Sequence, residues 1–155
     1  MSSKLTILFL CTGNSCRSQM AEAFMNKYHG DKFISYSAGT EPSSVNPRAA
    51  QVMQEKGIDI SQNQSKHVSD LPVDSTDFVL TVCNHARENC PYFPANIKSI
   101  HHNFDDPPAL EKDEESEEEK LAHYRRVRDE IEEYVKKLPD ILTKNRNEFF
   151  NISTD

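Results

Sequence analysis

Residues 5–25 read LTILFLCTGNSCRSQMAEAFM, and this stretch decides the fold. Leu5-Thr-Ile-Leu-Phe-Leu10 is a short apolar run with the length of a buried strand. Gln19-Met-Ala-Glu-Ala-Phe-Met25 consists almost wholly of strong helix formers. Between them Cys11-Thr-Gly-Asn-Ser-Cys-Arg17-Ser18 contains the glycine and asparagine of a turn. The order is strand, loop, helix.

That loop has the residue types of an anion site. A cysteine closes the strand and an arginine stands six positions on, where the helix begins. The backbone N–H groups of Thr12, Gly13, Asn14, Ser15 and Cys16 can form an inward-facing nest, and the helix N-terminus adds its dipole. Arg17 can then clamp two oxygens of a tetrahedral oxyanion. The same positive potential favours thiolate over thiol, lowering a cysteine pKa from roughly 8.5 by one to several units in comparable sites. Cys11 is the expected nucleophile. Gly13 and Asn14 are expected to take the positive φ of the nest, and Ser18 to hydrogen-bond the Cys11 sulfur.

Outward from this unit, strands and helices alternate. Phe33 to Ser37 reads as a strand, and Asn46-Pro47 as an N-cap with proline at the first position of a helix that ends at Gly57. Phe78-Val-Leu-Thr-Val82 and Ile97 to His101 are further strands. Leu121, Tyr124, Val127, Ile131, Tyr134, Val135 and Leu138 share one face of a long helix, expected to start near Lys120 and to close at Pro139. The acidic run Glu111 to Glu119 reads as a solvated loop before that helix. Such alternation predicts an α/β domain with a parallel sheet, helices on both faces and ligands outside the carboxyl ends of the strands. The expected domain spans residues 1–144, followed by a polar tail at 145–155.

Length and composition bound the chemistry. A chain of 155 residues fits one domain and buries a core of its own without staples. A formal net charge of −7 argues against a nucleic-acid partner, so an anionic substrate needs a local positive field. Leu5 to Leu10 is too short to span a bilayer and lacks a signal-peptide cleavage site, which points to the cytoplasm and to reduced cysteines. Among four cysteines and six histidines, neither Cys11/Cys16 nor Cys83/Cys90 has the spacing of a zinc knuckle. No metal or cofactor is expected, and His67, His101 and His102 read as ordinary histidines.

Two further constellations complete the candidate site. An attacked oxyanion loses an oxygen more easily if an acid protonates it, and Asp105-Asp106-Pro107-Pro108 offers two carboxyls. Asp106 is favoured because Pro107 restricts its backbone. Cys83 and Cys90 flank residues that can form helix. As helix, their Cα atoms would lie roughly 10 Å apart, whereas a disulfide needs about 7 Å or less. The pair therefore reads as a bistable element, reduced and partly helical or oxidised and looped out.

The motifs Cys11 to Ser18, Ser37-Ala-Gly39, Gly57-Ile-Asp-Ile-Ser61, Thr81-Val-Cys83, Glu88-Asn-Cys-Pro91, Phe104-Asp-Asp-Pro107 and Arg126-Val-Arg-Asp-Glu-Ile131 together resemble a known family. It is that of the thioredoxin-coupled arsenate reductases, built on the low-molecular-weight protein tyrosine phosphatase fold. The resemblance covers nearly the whole chain. It implies a single-domain three-layer fold with a flavodoxin-like sheet of four parallel strands. It also implies a redox relay through Cys11, Cys83 and Cys90, with Cys16 outside it, Arg17 on the oxyanion and Asp106 as acid. Asn14 and Ser37 would support the loop. Arsenate is the implied substrate, with phosphate or sulfate competing, and thioredoxin the implied reductant of a cytoplasmic monomer active in arsenic detoxification.

The chain departs from the family at one place. Some members bind potassium through a Thr-Ser-Asp segment where this chain has Gln64-Ser65-Lys66, and an ammonium there would repel the ion. Two rivals stay open. A small tyrosine phosphatase would use the same Cys11, Arg17 and Asp106, but its loop usually continues Asp-Pro-Tyr where Pro108 stands here, and it gives Cys83/Cys90 no role. A cysteine-based arsenite or metal sensor would need neither Arg17 nor Asp106.

Overall fold

The computed structural model describes residues 4–84 and 97–154. Cys90 and the expected Cys83/Cys90 helix lie outside the described residues. Strands β1 (Leu5–Cys11), β2 (Phe33–Gly39), β3 (Phe78–Thr81) and β4 (Lys98–His101) form one sheet in the order β2-β1-β3-β4, and every pairing is parallel. The sheet is the one expected, down to its four parallel strands.

The apolar run that opens the chain is buried on both faces of β1. Ile7 and Phe9 point one way, Leu8 and Leu10 the other, and none is more than 1% exposed. This is why the strand reads as a continuous apolar run rather than an alternating one. From β1 the chain crosses to β2 on one side and then to β3 on the other. The crevice between the carboxyl ends of β1 and β3 is therefore the topological switch point where open α/β sheets bind ligands.

Four helices complete the described architecture: α1 (Arg17–His29), α2 (Pro47–Gln54), α3 (Pro107–Leu110) and α4 (Glu117–Thr154). Short 3-10 turns span Val68–Asp70 and Val73–Ser75. Helix α2 begins as its sequence predicts. Asn46 caps it, its side-chain oxygen accepting from the Arg48 and Ala49 amides with Pro47 at the first position. The last helical residue is Gln54, and a turn carries the chain to Gly57, whose φ of 77° needs a glycine. Helix α4 packs on α1, α2 and α3, and its buried Tyr124, Val127, Ile131, Val135 and Leu138 join the same core as Met20 and Phe24 of α1.

Three expectations about the C-terminal third need correction. Helix α4 starts at Glu117, not near Lys120, because Ser116 and Glu119 form a capping box: the Glu119 amide donates to Ser116 Oγ and the Ser116 amide to Glu119 Oε1. The acidic run is therefore not simply a solvated loop; its last three residues are the first turn of α4, where negative charge suits the helix dipole. Nor does Pro139 close the helix. A proline inside a helix orphans the carbonyl four residues earlier, here Val135, and His29 Nε2 donates to that oxygen at 2.9 Å. With the orphan satisfied, the helical backbone runs on to Thr154, through residues expected as a tail. Among the described residues no helix is long and apolar enough to cross a membrane.

Candidate active site

The carbonyls of the loop that follows β1 are turned outward one by one. Those of Cys11, Thr12, Gly13 and Ser15 accept from the amides of Thr40, Glu41, Ser43 and Asn46 at 2.8–3.2 Å. The Asn14 carbonyl accepts from Gln19 Nε2 and Ser65 Oγ. Because each peptide is planar and trans, a C=O facing out turns the N–H of the next residue the opposite way. The amides of Thr12 to Cys16 therefore face the cleft as a nest at the N-terminus of α1, a site able to hold a tetrahedral oxyanion.

One residue carries the strain of that geometry. Asn14 has φ of 49° and is fully buried. Its side chain donates to Ser18 Oγ at 2.8 Å, and its Oδ1 accepts from Gln19 Nε2 and the Lys66 amide. Gly13, expected to share the positive φ, does not. The glycine that the loop cannot lose lies opposite it on β2: a Cβ on Gly39 would sit 2.4 Å from the Thr12 carbonyl oxygen and 3.0 Å from the Asn14 nitrogen.

Cys11 Sγ is 2.9 Å from Ser18 Oγ, as the spacing predicts. Cys83, one residue beyond the β3 ladder's last backbone bond, has its sulfur 3.4 Å from Thr12 Oγ1. Both sulfurs line one cleft of 440 Å³, together with Cys16, Arg17, Asp106 and Pro108. Cys11, Cys16 and Cys83 are all buried. Burial holds the Cys16 thiol well above its ordinary value; Cys11 and Asp106 add to the rise and Arg17 opposes it. Cys16 thus stays a neutral thiol at neutral pH. A second, larger groove lined by Phe104, Arg126 and Tyr134 lies on the other side of the Asp105 loop and has no cysteine among the described residues that line it.

Arg17 connects the nest to the loop after β4. Its Nη1 donates to the Phe104 carbonyl at 2.9 Å and its Nη2 lies 3.5 Å from Asp106 Oδ1. Asp106 is the N-cap of α3, yet its carboxylate makes no capping hydrogen bond and is turned to Arg17 instead. The adjacent Asp105 points away and pairs with Arg126 on α4 at 2.9 Å.

The sequence profile of the low molecular weight phosphotyrosine protein phosphatases matches residues 6–148. The chain belongs to that family. Within it, the chain is 48% identical over 138 residues to a protein of Bacillus licheniformis named arsenate reductase, covering 89% of this chain and 97% of that one. Its fold is similar to a crystal structure of arsenate reductase from Archaeoglobus fulgidus, with a TM-score of 0.68 at 32% identity over 85% of this chain and 97% of the other. It is also similar to a low molecular weight protein tyrosine phosphatase from T. tengcongensis, with a TM-score of 0.72 at 25% identity over 88% and 99% of the two chains. The fold and the family expected from the motifs are thus both found.

The geometry of the family's loop brings together Cys11, Thr12, Gly13, Ser15, Cys16, Arg17, Cys83 and Asp106 around one cleft, with Asn14 and Ser18 behind it. Ser37 is not among them. It is buried on β2 beside the Glu22 carboxyl, and its hydroxyl makes no hydrogen bond to the loop among the described residues. Burial raises the Glu22 pKa, against the pull of the Ser37 hydroxyl and the Lys66 ammonium. Lys66 Nζ also donates to the Gln64 carbonyl at 2.9 Å, so in the 64–66 segment that carbonyl already has an ammonium on it.

Gln19 is the support that sequence reasoning missed. Its amide reaches Asn14 twice and the Gln64 carbonyl once, and its Oε1 accepts from Asn63. A polar residue at the third position of an otherwise helix-forming, core-facing segment was the available signal.

Proposed function

We propose that the protein reduces arsenate to arsenite at Cys11 and passes the resulting oxidation through Cys83 and Cys90 to thioredoxin. The observation that carries this reading is a thiol from outside the loop, Cys83, in the same cleft as Cys11 and Cys16 of the nest. A phosphatase has no use for it, since its phosphocysteine is resolved by water. The relatives named arsenate reductase support the same reading.

In this mechanism arsenate sits on the amides of Thr12 to Cys16 with Arg17 on its outer oxygens, while phosphate or sulfate competes for the same donors. The Cys11 sulfur attacks arsenic. Asp106 gives its proton to the departing oxygen, which leaves as water, and a thiol–arsenic(V) adduct remains. Cys83 then attacks the Cys11 sulfur. The S–As electron pair goes to arsenic, which leaves as arsenite, two electrons richer, and a Cys11–Cys83 disulfide forms. Cys90 attacks Cys83 and releases the Cys11 thiolate; the Cys83–Cys90 disulfide is reduced by the thioredoxin dithiol. Cys16, held neutral by burial, takes no part. The enzyme needs no metal or cofactor of its own, and acts as a cytoplasmic monomer.

The test is arsenate-dependent NADPH oxidation in the presence of thioredoxin and its reductase. Wild-type turnover, lost in both Cys83→Ser and Cys90→Ser, is expected. Robust aryl-phosphate hydrolysis indifferent to both substitutions, with no arsenate turnover, would make the protein a phosphatase instead.

A further inference from the structure

The acidic run has no part in the chemistry just described, yet its first residue lies at the end of a closed circuit of hydrogen bonds that reaches the nest. The Asn46 amide donates to the Ser15 carbonyl at 2.8 Å and so turns the Ser15–Cys16 peptide, carbonyl out and Cys16 N–H toward the cleft. The Asn46 side-chain oxygen caps α2, which leaves its Nδ2 only one direction. That group donates to the Tyr124 hydroxyl at 3.2 Å. Tyr124 donates in turn to Glu111 Oε2, and Glu111 Oε1 accepts from Arg48 Nη1 at 3.0 Å. Arg48 belongs to α2, whose cap is Asn46, so the circuit closes on the element where it began.

Each member is fixed by its neighbours. Tyr124 is fully buried, so water cannot replace either of its partners, and burial together with its bond to Glu111 raises its pKa far above the ordinary tyrosine range. Arg48 is itself held a second time, by Glu117 at 2.9 Å. The circuit ties α2, α4 and the residue after α3 to one peptide of the loop, and it runs beside Cys16, whose thiol feels the Glu111 charge.

We infer that Tyr124 and Glu111 are positioning residues for the oxyanion site, acting through Asn46 on the Ser15–Cys16 peptide. The inference rests on the reading of the 11–18 loop as that site. Neither residue touches the cleft; both set where one of its donors points. The acidic run thereby acquires a task beyond solvation, at Glu111 and through Arg48 at Glu117.

The experiment is titration of inorganic phosphate into the full chain by calorimetry, paired with arsenate kinetics and thermal melting. Tyr124→Phe removes both hydrogen bonds of the hydroxyl, to Asn46 and Glu111, and should weaken phosphate binding about tenfold, the part of that loss felt at the Ser15–Cys16 peptide. Glu111→Gln keeps an acceptor for Tyr124 but loses the charge facing Arg48; it should weaken binding about threefold and serves if Tyr124→Phe does not fold. Tyr28→Phe removes a comparable tyrosine–glutamate bond, to Glu132, far from the loop and should leave the affinity unchanged. In arsenate turnover the expected signature of both circuit variants is a raised KM with kcat within about twofold of wild type. A lowered melting temperature with unchanged phosphate affinity in Tyr124→Phe or Glu111→Gln would overturn the inference, and so would a wild type that binds no phosphate. Phosphate binding that falls in the two variants while the wild type shows no arsenate turnover would uphold the circuit and remove the arsenate reading.

Discussion

From Cys11 to Ser15 every carbonyl of the nest is bonded outward and Asn14 is fully buried, whereas Asp106, across the same cleft, has a side chain 43% exposed and, among the described residues, a single ion-pair contact at 3.5 Å. In the proposed mechanism the two sides of the site do different work. A nest that must meet an oxyanion with several donors at once gains from being rigid before the ligand arrives, because no reorganisation is then charged to binding. A proton donor must approach the oxygen that leaves, and then withdraw. Asp106 is the N-cap of a short helix whose first residue, Pro107, restricts its backbone, with Arg17 linking it to the nest and the Phe104 carbonyl holding the other arm of that arginine.

Substitutions on the two sides should therefore separate binding from chemistry. The largest effect belongs to the proposed acid. Asp106→Asn should lower kcat for arsenate by about 100- to 1,000-fold with phosphate affinity nearly unchanged, as steady-state kinetics beside calorimetry will show. Next comes the scaffold of the nest. Gly39→Ala drives a methyl group into the Thr12 carbonyl, and should cost about 1–3 kcal/mol of stability with a matching loss of phosphate affinity; an unchanged affinity would mean that the loop adapts and is not preorganised.

A smaller effect tests the packing behind the loop. Burial raises Glu22 above its ordinary value. A group with a raised folded-state pKa favours the fold below its unfolded value and loses that contribution as the pH rises through the folded one. Glu22→Gln should accordingly melt above wild type at pH 7, with the difference shrinking as the pH falls through the glutamate range. Smallest of all is potassium. With the Lys66 ammonium on the Gln64 carbonyl and beside Glu22, turnover in potassium and in sodium at constant ionic strength should agree, and a marked gain with potassium would break this part of the account.

The sheet and the geometry of the Cys11–Ser18 loop were legible because they are written locally. A six-residue apolar run, a loop with cysteine and arginine at fixed spacing, and a run of helix formers each carry their own signal, and Asn46-Pro47 announced a cap that the structure contains. Pro107 is the ground for preferring Asp106 over Asp105, and of the two it is Asp106 that lines the cleft while Asp105 pairs with Arg126. What could not be read depends on partners distant in sequence. The amides that turn four of the loop's carbonyls outward come from residues 40–46, where the one sequence signal, Asn46, announces the cap of α2 and not this contact. Pro139 reads as a stop because nothing near it in sequence shows that His29, more than a hundred residues earlier, takes the orphaned carbonyl. Ser37 was assigned to the loop through resemblance and stands beside Glu22. The capping box of Ser116 and Glu119 is the exception: it was visible in the sequence, hidden among the other glutamates of the run.

The central claim is that Cys83 attacks the sulfur of an arsenic-bearing Cys11. Its most direct test is a single turnover of the Cys90→Ser variant, mixed with arsenate and no reductant, followed by arsenite assay and disulfide mapping by mass spectrometry. The account predicts about one arsenite per protein chain and a Cys11–Cys83 disulfide. Folded, phosphate-binding protein that releases no arsenite and keeps both cysteines reduced would contradict it.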